Sequence, residues 1–113
     1  IKALCALSVV VLISCDARPV ATTPTKPQAS VGPSERVESL YNKSCIACHA
    51  SGAAGAPRTG DVMLWQARLD EVGIEALVDI ALQGKGSMPA KGFCAECERE
   101  DLAALIRFMA AER

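Results

Sequence analysis

Five residues in the middle of the chain restrict its possible folds more than any others: Cys45-Ile46-Ala47-Cys48-His49. Two thiols separated by two residues lie on one helical turn, where both can reach the two vinyl groups of a single porphyrin. This C-x-x-C-H spacing is the attachment signature of c-type haem. His49 is also the only histidine in the 113 residues. The motif therefore predicts one covalently bound haem c, joined through Cys45 and Cys48, with His49 as an axial ligand.

A sixth iron ligand is sought among three methionines, because the chain has no second histidine. Met63 falls in a helical stretch and Met109 on an apolar helical stripe, where a methionine is an ordinary core residue. Met88 instead lies in the loop Gly84-Lys85-Gly86-Ser87-Met88-Pro89. Glycines let a backbone approach a flat cofactor closely, and the proline stiffens the chain beside the ligand. We therefore predict Met88 as the second axial ligand.

The composition suits a core completed by a cofactor and argues against nucleic acid as a partner. Apolar residues make up 50% of the chain, but aromatic residues only 4%, so a bulky apolar group would supply missing core volume. Acidic and basic residues are interleaved, and the formal net charge is -1. No basic stripe is present that would neutralise a run of phosphates.

The N-terminal part of the sequence is typical of an export signal. After Lys2, residues 3–14 form an uncharged, mainly apolar run. A membrane span takes about 20 apolar residues, so this run is too short for one. We assign residues 1–14 to a signal of the lipoprotein type, and we expect its start to be truncated because the chain opens at Ile1.

The signal ends in Leu12-Ile13-Ser14-Cys15, which resembles the bacterial lipobox. In that motif cleavage leaves the cysteine as the acylated N-terminus, so we predict lipidation at Cys15 and a membrane anchor. The alternative is ordinary secretion with cleavage near Ala17. Residues 15–33 then form a linker rich in proline, which excludes a continuous helix and extends by about 3.1 Å per residue.

Residues 34–113 are expected to form one domain, all-α, with about four short helices around the haem. Helical periodicity and capping residues predict a first helix from Ser34 into Cys45 and a second from Asp61 through Leu69. A third runs from about Ile74 to Leu82, where Gly84 stops it. The last begins near Glu98 and has an apolar stripe of Leu102, Leu105, Ile106 and Met109.

A zinc site is the main alternative for the cysteines, since Cys45 and Cys48 with Cys94 and Cys97 form two C-x-x-C pairs. The separation between the pairs is longer than is usual for a zinc ribbon. Four reduced thiolates also do not suit an exported protein. A zinc ribbon, finally, would not require the histidine that follows Cys48. These points favour haem c.

The domain resembles the class I c-type cytochromes, and most closely the cytochrome c5 family. The resemblance covers about residues 35–112, and its segments are Tyr41 to His49, Ala54-Gly55-Ala56-Pro57, Gly84 to Gly92 and Cys94-Ala95-Glu96-Cys97. It implies the compact cytochrome c fold, iron held between His49 and Met88, and a Pro57 carbonyl that accepts the other ring proton of His49. It also implies a Cys94–Cys97 disulfide and a contact between Tyr41 and the last helix at Leu105 and Phe108.

Two weaker expectations concern side chains near the cofactor. Trp65, Arg58 and Arg68 are candidates to bind the haem propionates, although a core tryptophan and two solvated arginines are equally consistent with the sequence. A thioredoxin-like dithiol at Cys94 and Cys97 is disfavoured, because the neighbouring glutamates destabilise a thiolate.

An iron with both axial sites filled offers no place for a substrate, so we expect an electron carrier on the periplasmic side of a bacterial membrane rather than an enzyme. Its expected partners are redox proteins, namely an oxidase, a reductase or a dehydrogenase, and no small-molecule substrate is expected. The alternative is a haem c enzyme or small-ligand sensor with an open distal site. The absence of a second histidine, which would serve as distal acid or base, opposes that alternative.

Overall fold

The computed structural model describes residues 33–112, and over that range the chain is helical, with one isolated bridge between Lys85 and Met88 in place of strands. The predicted all-α fold is therefore confirmed. The expected signal over residues 1–14, the lipidated Cys15 and nearly all of the linker lie outside the described residues. Within them, no helix combines the length and the apolar character that crossing a membrane requires.

The first helical stretch contains three segments in direct succession. Helix α1 spans Pro33–Leu40, a π-helical turn follows over Tyr41–Cys45, and helix α2 spans Ile46–His49. Ser34 was predicted to cap this stretch, but it lies inside the first turn, because the helix already includes Pro33. The π-helical turn is closed by a hydrogen bond from the Ile46 N–H to the Tyr41 carbonyl. Such turns occur as single insertions in α-helices, often at functional sites.

Helix α3 spans Val62–Gln83 and is divided at Gly73, whose φ of 78° is not helical. A glycine adopts this left-handed backbone without the steric cost that a side chain carries. The two predicted helices of this region are thus both present, and the first of them continues past Leu69 as far as the glycine. Asp61 caps α3 by accepting a hydrogen bond from the Leu64 N–H, with a separation of 3.1 Å between the heavy atoms.

Helix α4 spans Arg99–Ala110, and it begins with a capping box between Glu98 and Asp101. This arrangement satisfies two backbone N–H groups that have no partner within a helix. The predicted apolar stripe is buried against α3 and the end of α1: Leu102, Leu105, Ile106 and Met109. Phe108 packs beside the stripe against Tyr41, with ring centroids 5.0 Å apart.

Two sets of ion pairs connect the helices at the surface. Arg36 of α1 binds Asp101 of α4 through two hydrogen bonds of 2.8 Å, from Nε and Nη2 to the two carboxylate oxygens. Arg99 at the start of α4 pairs with Glu75 and Asp79 of α3. Bidentate arginine–carboxylate pairs fix orientation as well as contributing energy. They hold α4 in register between the other two helices.

Candidate cofactor site

The two cysteines of the motif lie one helical turn apart and are both free thiols. Cys45 ends the π-helical turn and is half-buried, whereas Cys48 is exposed within α2. Burial raises the pKa of the Cys45 thiol above its ordinary value, because the low-dielectric surroundings disfavour the charged thiolate. The helix therefore presents two accessible sulfur atoms on one side, with Cys45 turned further towards the interior.

His49 is buried at the end of α2, and a backbone contact fixes its ring. Its Nδ1 lies 2.7 Å from the Pro57 carbonyl oxygen. A carbonyl oxygen can only accept, so Nδ1 carries the proton and Nε2 keeps a free lone pair for a metal. A second bond, 2.8 Å from the Thr59 N–H to the His49 carbonyl, ties the same loop to the same residue. The sequence thus places one oriented imidazole next to the two thiols.

Trp65 holds the loop that carries Pro57 against α3. Its indole N–H donates to the Arg58 carbonyl over 2.8 Å, and its ring centroid lies 6.0 Å from that of His49. The indole N–H is the only donor of this side chain. In the structure that donor already has a partner within the protein, as in the core tryptophan that the sequence also allowed. The Arg58 side chain is exposed, and its carbonyl is the part that makes this contact.

Arg68 differs from Arg58 in carrying a buried polar atom with no partner. Its Nε is enclosed and makes no hydrogen bond to any described residue. Leaving a buried donor unsatisfied costs about 1–3 kcal/mol or more when the group is charged. An orphaned guanidinium nitrogen of this kind fits an anionic group such as a porphyrin carboxylate.

Met88 lies in a tight loop that two reciprocal hydrogen bonds close. The Lys85 N–H donates to the Met88 carbonyl and the Met88 N–H to the Lys85 carbonyl, each over 3.0 Å. Gly84 permits this closure, since a Cβ added there would lie 2.7 Å from the Met88 oxygen. Met88 is half-buried, whereas Met63 is 86% exposed and Met109 only 4% exposed. Met63 lies at the surface and Met109 in the helix core, so Met88 is the methionine with an intermediate environment.

The second cysteine pair is a buried disulfide between Cys94 and Cys97. With those two sulfur atoms bonded to each other, four thiolates are not available to one zinc ion. Among residues 33–112 no group of three or more cysteine, histidine or acidic side chains is arranged to hold a metal ion. The zinc alternative is therefore not supported. The same burial separates the pair from solvent, unlike a thioredoxin-type dithiol.

These residues fit a c-type haem in the chemistry that they offer. Two free thiols stand on one turn, an imidazole with a free Nε2 follows them, and a thioether lies in a glycine-rich loop. Neutral imidazole and thioether sulfur are both ligands of haem iron in cytochromes c. The buried Arg68 Nε adds a cationic donor for a carboxylate.

Sequence reasoning missed three features of the site. It gave no signal for the π-helical turn before the motif or for the 2.9 Å hydrogen bond between Tyr41 Oη and Thr59 Oγ1. It also gave no signal that the Lys91 Nζ donates to the Cys97 carbonyl over 2.7 Å. A lysine three residues before a C-x-x-C pair carries no pattern that announces such a contact.

Comparison with known proteins finds similarity to small cytochromes. A family model described as cytochrome C oxidase, cbb3-type, subunit III matches residues 32–109. Cytochrome c5 of Ectopseudomonas mendocina is 37% identical over 83 residues, which cover 72% of this chain and 95% of that protein. Cytochrome c5 of Azotobacter vinelandii is 39% identical over 70 residues, with 61% and 84% covered.

Solved structures give the same result. A monohaem ferrocytochrome c from Shewanella putrefaciens superimposes with a TM-score of 0.60 at 39% identity, covering 68% of this chain and 94% of that one. A chain from the electron transfer complex of nitrite reductase with cytochrome c has a TM-score of 0.58 at 40% identity, with 65% and 88% covered. The likeness thus covers about two thirds of this chain in both structures.

Proposed function

Because this chain belongs to the class I c-type cytochromes, electron carriers with one covalently bound haem c, we propose that it is a membrane-tethered carrier on the periplasmic side of a bacterial membrane. It passes single electrons between respiratory redox proteins. The observation that carries the proposal is the oriented His49 directly beside two free thiols, with its Nδ1 fixed by the Pro57 carbonyl.

The residues divide the work of holding the cofactor. Cys45 and Cys48 would form the thioethers, His49 and Met88 would ligate the iron, and Arg68 would bind a propionate. The bound haem supplies a one-electron couple between ferric and ferrous iron. The Pro57 carbonyl keeps His49 in one tautomer, which holds Nε2 towards the metal and makes it a better donor. The thioether of Met88 favours ferrous iron and so raises the reduction potential.

In our proposal, partners dock at the exposed edge of the cofactor, between the loop over residues 50–60 and the loop over residues 84–92. Small exposed side chains there, Ala53, Ala54 and Ala90, permit close approach. The exposed Lys85 steers an acidic partner. The ammonium of Lys91, the second lysine of this loop, is bonded to the Cys97 carbonyl. The similar chain in the complex of nitrite reductase with cytochrome c is compatible with a reductase as one such partner.

Charge reversal tests this surface. Lys85→Glu should slow association with an acidic redox partner, and the effect should shrink as salt rises, because exposed charges are screened beyond about 10 Å at 0.1 M ionic strength. Stopped-flow electron transfer at low and high salt measures both. An unchanged rate at low salt would place the docking surface elsewhere.

The tether is proposed from the sequence of residues 1–33. Cys15 is acylated after removal of the signal over residues 1–14, and the proline-rich segment 15–33 spaces the domain from the membrane. Cys15→Ala should release the haem-bearing protein into the soluble fraction or block its processing. Fractionation with unchanged anchoring would contradict the lipoprotein proposal and leave the electron-carrier proposal intact.

The electron-carrier proposal is tested by absorption spectroscopy of the full holoprotein. We expect a low-spin spectrum in both oxidation states and, in the oxidised state, the weak methionine–iron band at long wavelength. A high-spin ferric spectrum would point instead to the enzyme or sensor with an open distal site.

A further inference from the structure

Lys91 makes a contact that is unusual for a lysine in a surface loop. Its Nζ donates to the Cys97 carbonyl over 2.7 Å, and the residue is half-buried. A lysine side chain loses up to about 2 kcal/mol of rotamer entropy when it is ordered. The contact therefore has to return more than that to persist.

The acceptor of this bond is fixed in place. Cys97 is fully buried, is joined to Cys94 by the disulfide, and directly precedes Glu98, the N-cap of α4. The ammonium of Lys91 thereby connects the loop after Met88 to the rigid start of the last helix.

The donor lies next to the surface on which the Met88 side chain rests. Gly92 follows Lys91 directly, and a Cβ added to Gly92 would lie 3.7 Å from Met88 Cε. A side chain at residue 92 would therefore touch the methyl group of the Met88 thioether, so the bare backbone of Gly92 borders that group. A shift of Lys91 moves the surface that positions the sulfur.

The backbone around Lys91 needs such a restraint. Lys91, Gly92 and Phe93 all have positive φ, at 54°, 58° and 65°. The left-handed region costs a residue with a side chain about 1–2 kcal/mol. Strained segments of this kind persist only when their surroundings over-determine them. The Lys91 ammonium at one end and the disulfide at the other supply that restraint.

We propose that Lys91 is a positioning residue for Met88: its ammonium, bonded to the Cys97 carbonyl, keeps the 88–93 loop closed over the site. This rests on the proposed function, in which Met88 is the sixth iron ligand. Lys91 touches neither iron nor partner in this role. It acts through the backbone of Gly92 and prolongs the residence of the Met88 thioether at the metal, that is, the time for which the sulfur stays bound.

Cyanide binding to the oxidised full-length holoprotein measures that residence, since cyanide enters only when methionine has left. Lys91→Met keeps most of the length of the side chain and removes the bond. Hydrogen bonds to charged groups contribute about 1.5–3 kcal/mol, so cyanide should bind about tenfold faster or more. Lys43→Met, the same change at an exposed lysine outside this loop and outside the proposed docking surface, should stay within about twofold.

Lys91→Gly separates the bond from the backbone strain. Glycine suits the left-handed conformation, so this variant removes strain together with the ammonium. Faster cyanide binding, like that of Lys91→Met, is expected if the bond positions the loop. It also serves where Lys91→Met does not accumulate as holoprotein. Thermal unfolding of each variant is followed in parallel, because a purely structural role would lower the midpoint and leave the cyanide rate unchanged.

The outcomes separate this inference from the assignment on which it rests. A wild-type protein with the methionine–iron band and unchanged cyanide rates in Lys91→Met and Lys91→Gly would overturn the role of Lys91 alone. A wild-type protein without that band would overturn the Met88 assignment and this inference with it.

Discussion

The histidine side and the methionine side of the proposed iron site are built differently. On the histidine side, Cys45, Cys48 and His49 follow one another on a continuous helical stretch, and backbone atoms of Pro57 and Thr59 bond His49 directly. On the methionine side, Met88 lies in a loop closed by two backbone hydrogen bonds. The histidine side is thus held by a helix and a loop together, whereas the loop on the methionine side needs further contacts to restrain it.

The difference means that retention of the haem and binding of its sixth ligand depend on different parts of the chain. In the proposed site, two thioethers and a buried histidine would hold the haem whatever happens to the loop over residues 84–97. The loop decides whether a thioether occupies the remaining axial position, and thereby sets the spin state and the potential. Damage to the loop should therefore change spectra and potential while the haem stays attached.

Replacing Met88 should have the largest effect, because it removes the ligand on the methionine side and leaves the histidine side intact. Met88→Ala should keep covalent haem, become high-spin or water-ligated when oxidised, and bind carbon monoxide when reduced. Its reduction potential should fall, because the thioether that favours ferrous iron is gone. Absorption spectra and redox titration of the purified holoprotein measure all of these changes.

The other two methionines provide controls for Met88. Met109 is buried in the helix core, so Met109→Ala should cost about 2–5 kcal/mol of unfolding free energy while the spectrum stays low-spin. Met63 is exposed, so Met63→Ala should stay within about 0.5 kcal/mol of wild type. A Met88→Ala protein that retains the methionine–iron band would assign the ligand to one of these residues instead.

Gly84→Ala tests the methionine side alone, because it strains the loop that carries Met88 without removing a proposed ligand. The added Cβ would lie 2.7 Å from the Met88 oxygen and 2.8 Å from the Ala90 nitrogen, both backbone atoms that cannot rotate away. With the left-handed φ of 81°, we expect a loss of at least about 2 kcal/mol of unfolding free energy. Denaturant unfolding of the holoprotein measures the loss, and the methionine–iron band should weaken.

Gly86→Ala is the matched control in the same loop. Gly86 also has a positive φ, of 59°, but a Cβ there meets nothing within 4 Å. It should therefore cost only the backbone strain, about 1 kcal/mol. Equal losses for both variants would show that the close approach at Gly84 does not matter to the loop.

The histidine side could be predicted from sequence in more detail than the methionine side. Its geometry is local: C-x-x-C-H places three groups on one turn, and Asp61 and Gly84 mark the ends of α3 by their own chemistry. The glycines and the proline of the loop over residues 84–89 led to the prediction of Met88 as a ligand. The sequence could not show that Lys91 reaches back to the Cys97 carbonyl, because that contact depends on the path of the loop and not on residue types.

The burial of side chains could not be predicted from the sequence where tertiary packing decides it. The sequence left Trp65 open as a partner of the propionates or as a core residue, and it gave no sign that its N–H donates to the Arg58 carbonyl seven residues away. Arg58 and Arg68 look alike in sequence, yet Arg58 is exposed and only Arg68 has an enclosed Nε. Arg68 lies on α3, whereas Arg58 lies in the loop before that helix.

The smallest expected effect concerns the pair of Arg36 and Asp101, which joins the helix leading into the motif to α4. Hydrogen bonds from Arg36 hold the pKa of Asp101 below its usual value, and the Glu98 N–H adds to this. A carboxyl with a depressed folded-state pKa stabilises the protein above its unfolded pKa, and this contribution is lost as the pH falls through the folded value. Asp101→Asn should therefore be less stable than wild type at neutral pH, and the gap should close in acid, below about pH 4.

Urea unfolding of both holoproteins across this pH range measures the gap, with Arg36→Gln and the double variant completing a mutant cycle. The methionine–iron band and the cyanide rate of Asp101→Asn should match those of wild type, since the pair supports the helix leading into the motif and is remote in sequence from Met88. A stability difference that is the same at pH 7 and in acid would show that the charge of Asp101 is not what stabilises the contact. A faster cyanide rate would show that the two sides of the site are coupled through α4, whose start also receives the restraint from Lys91.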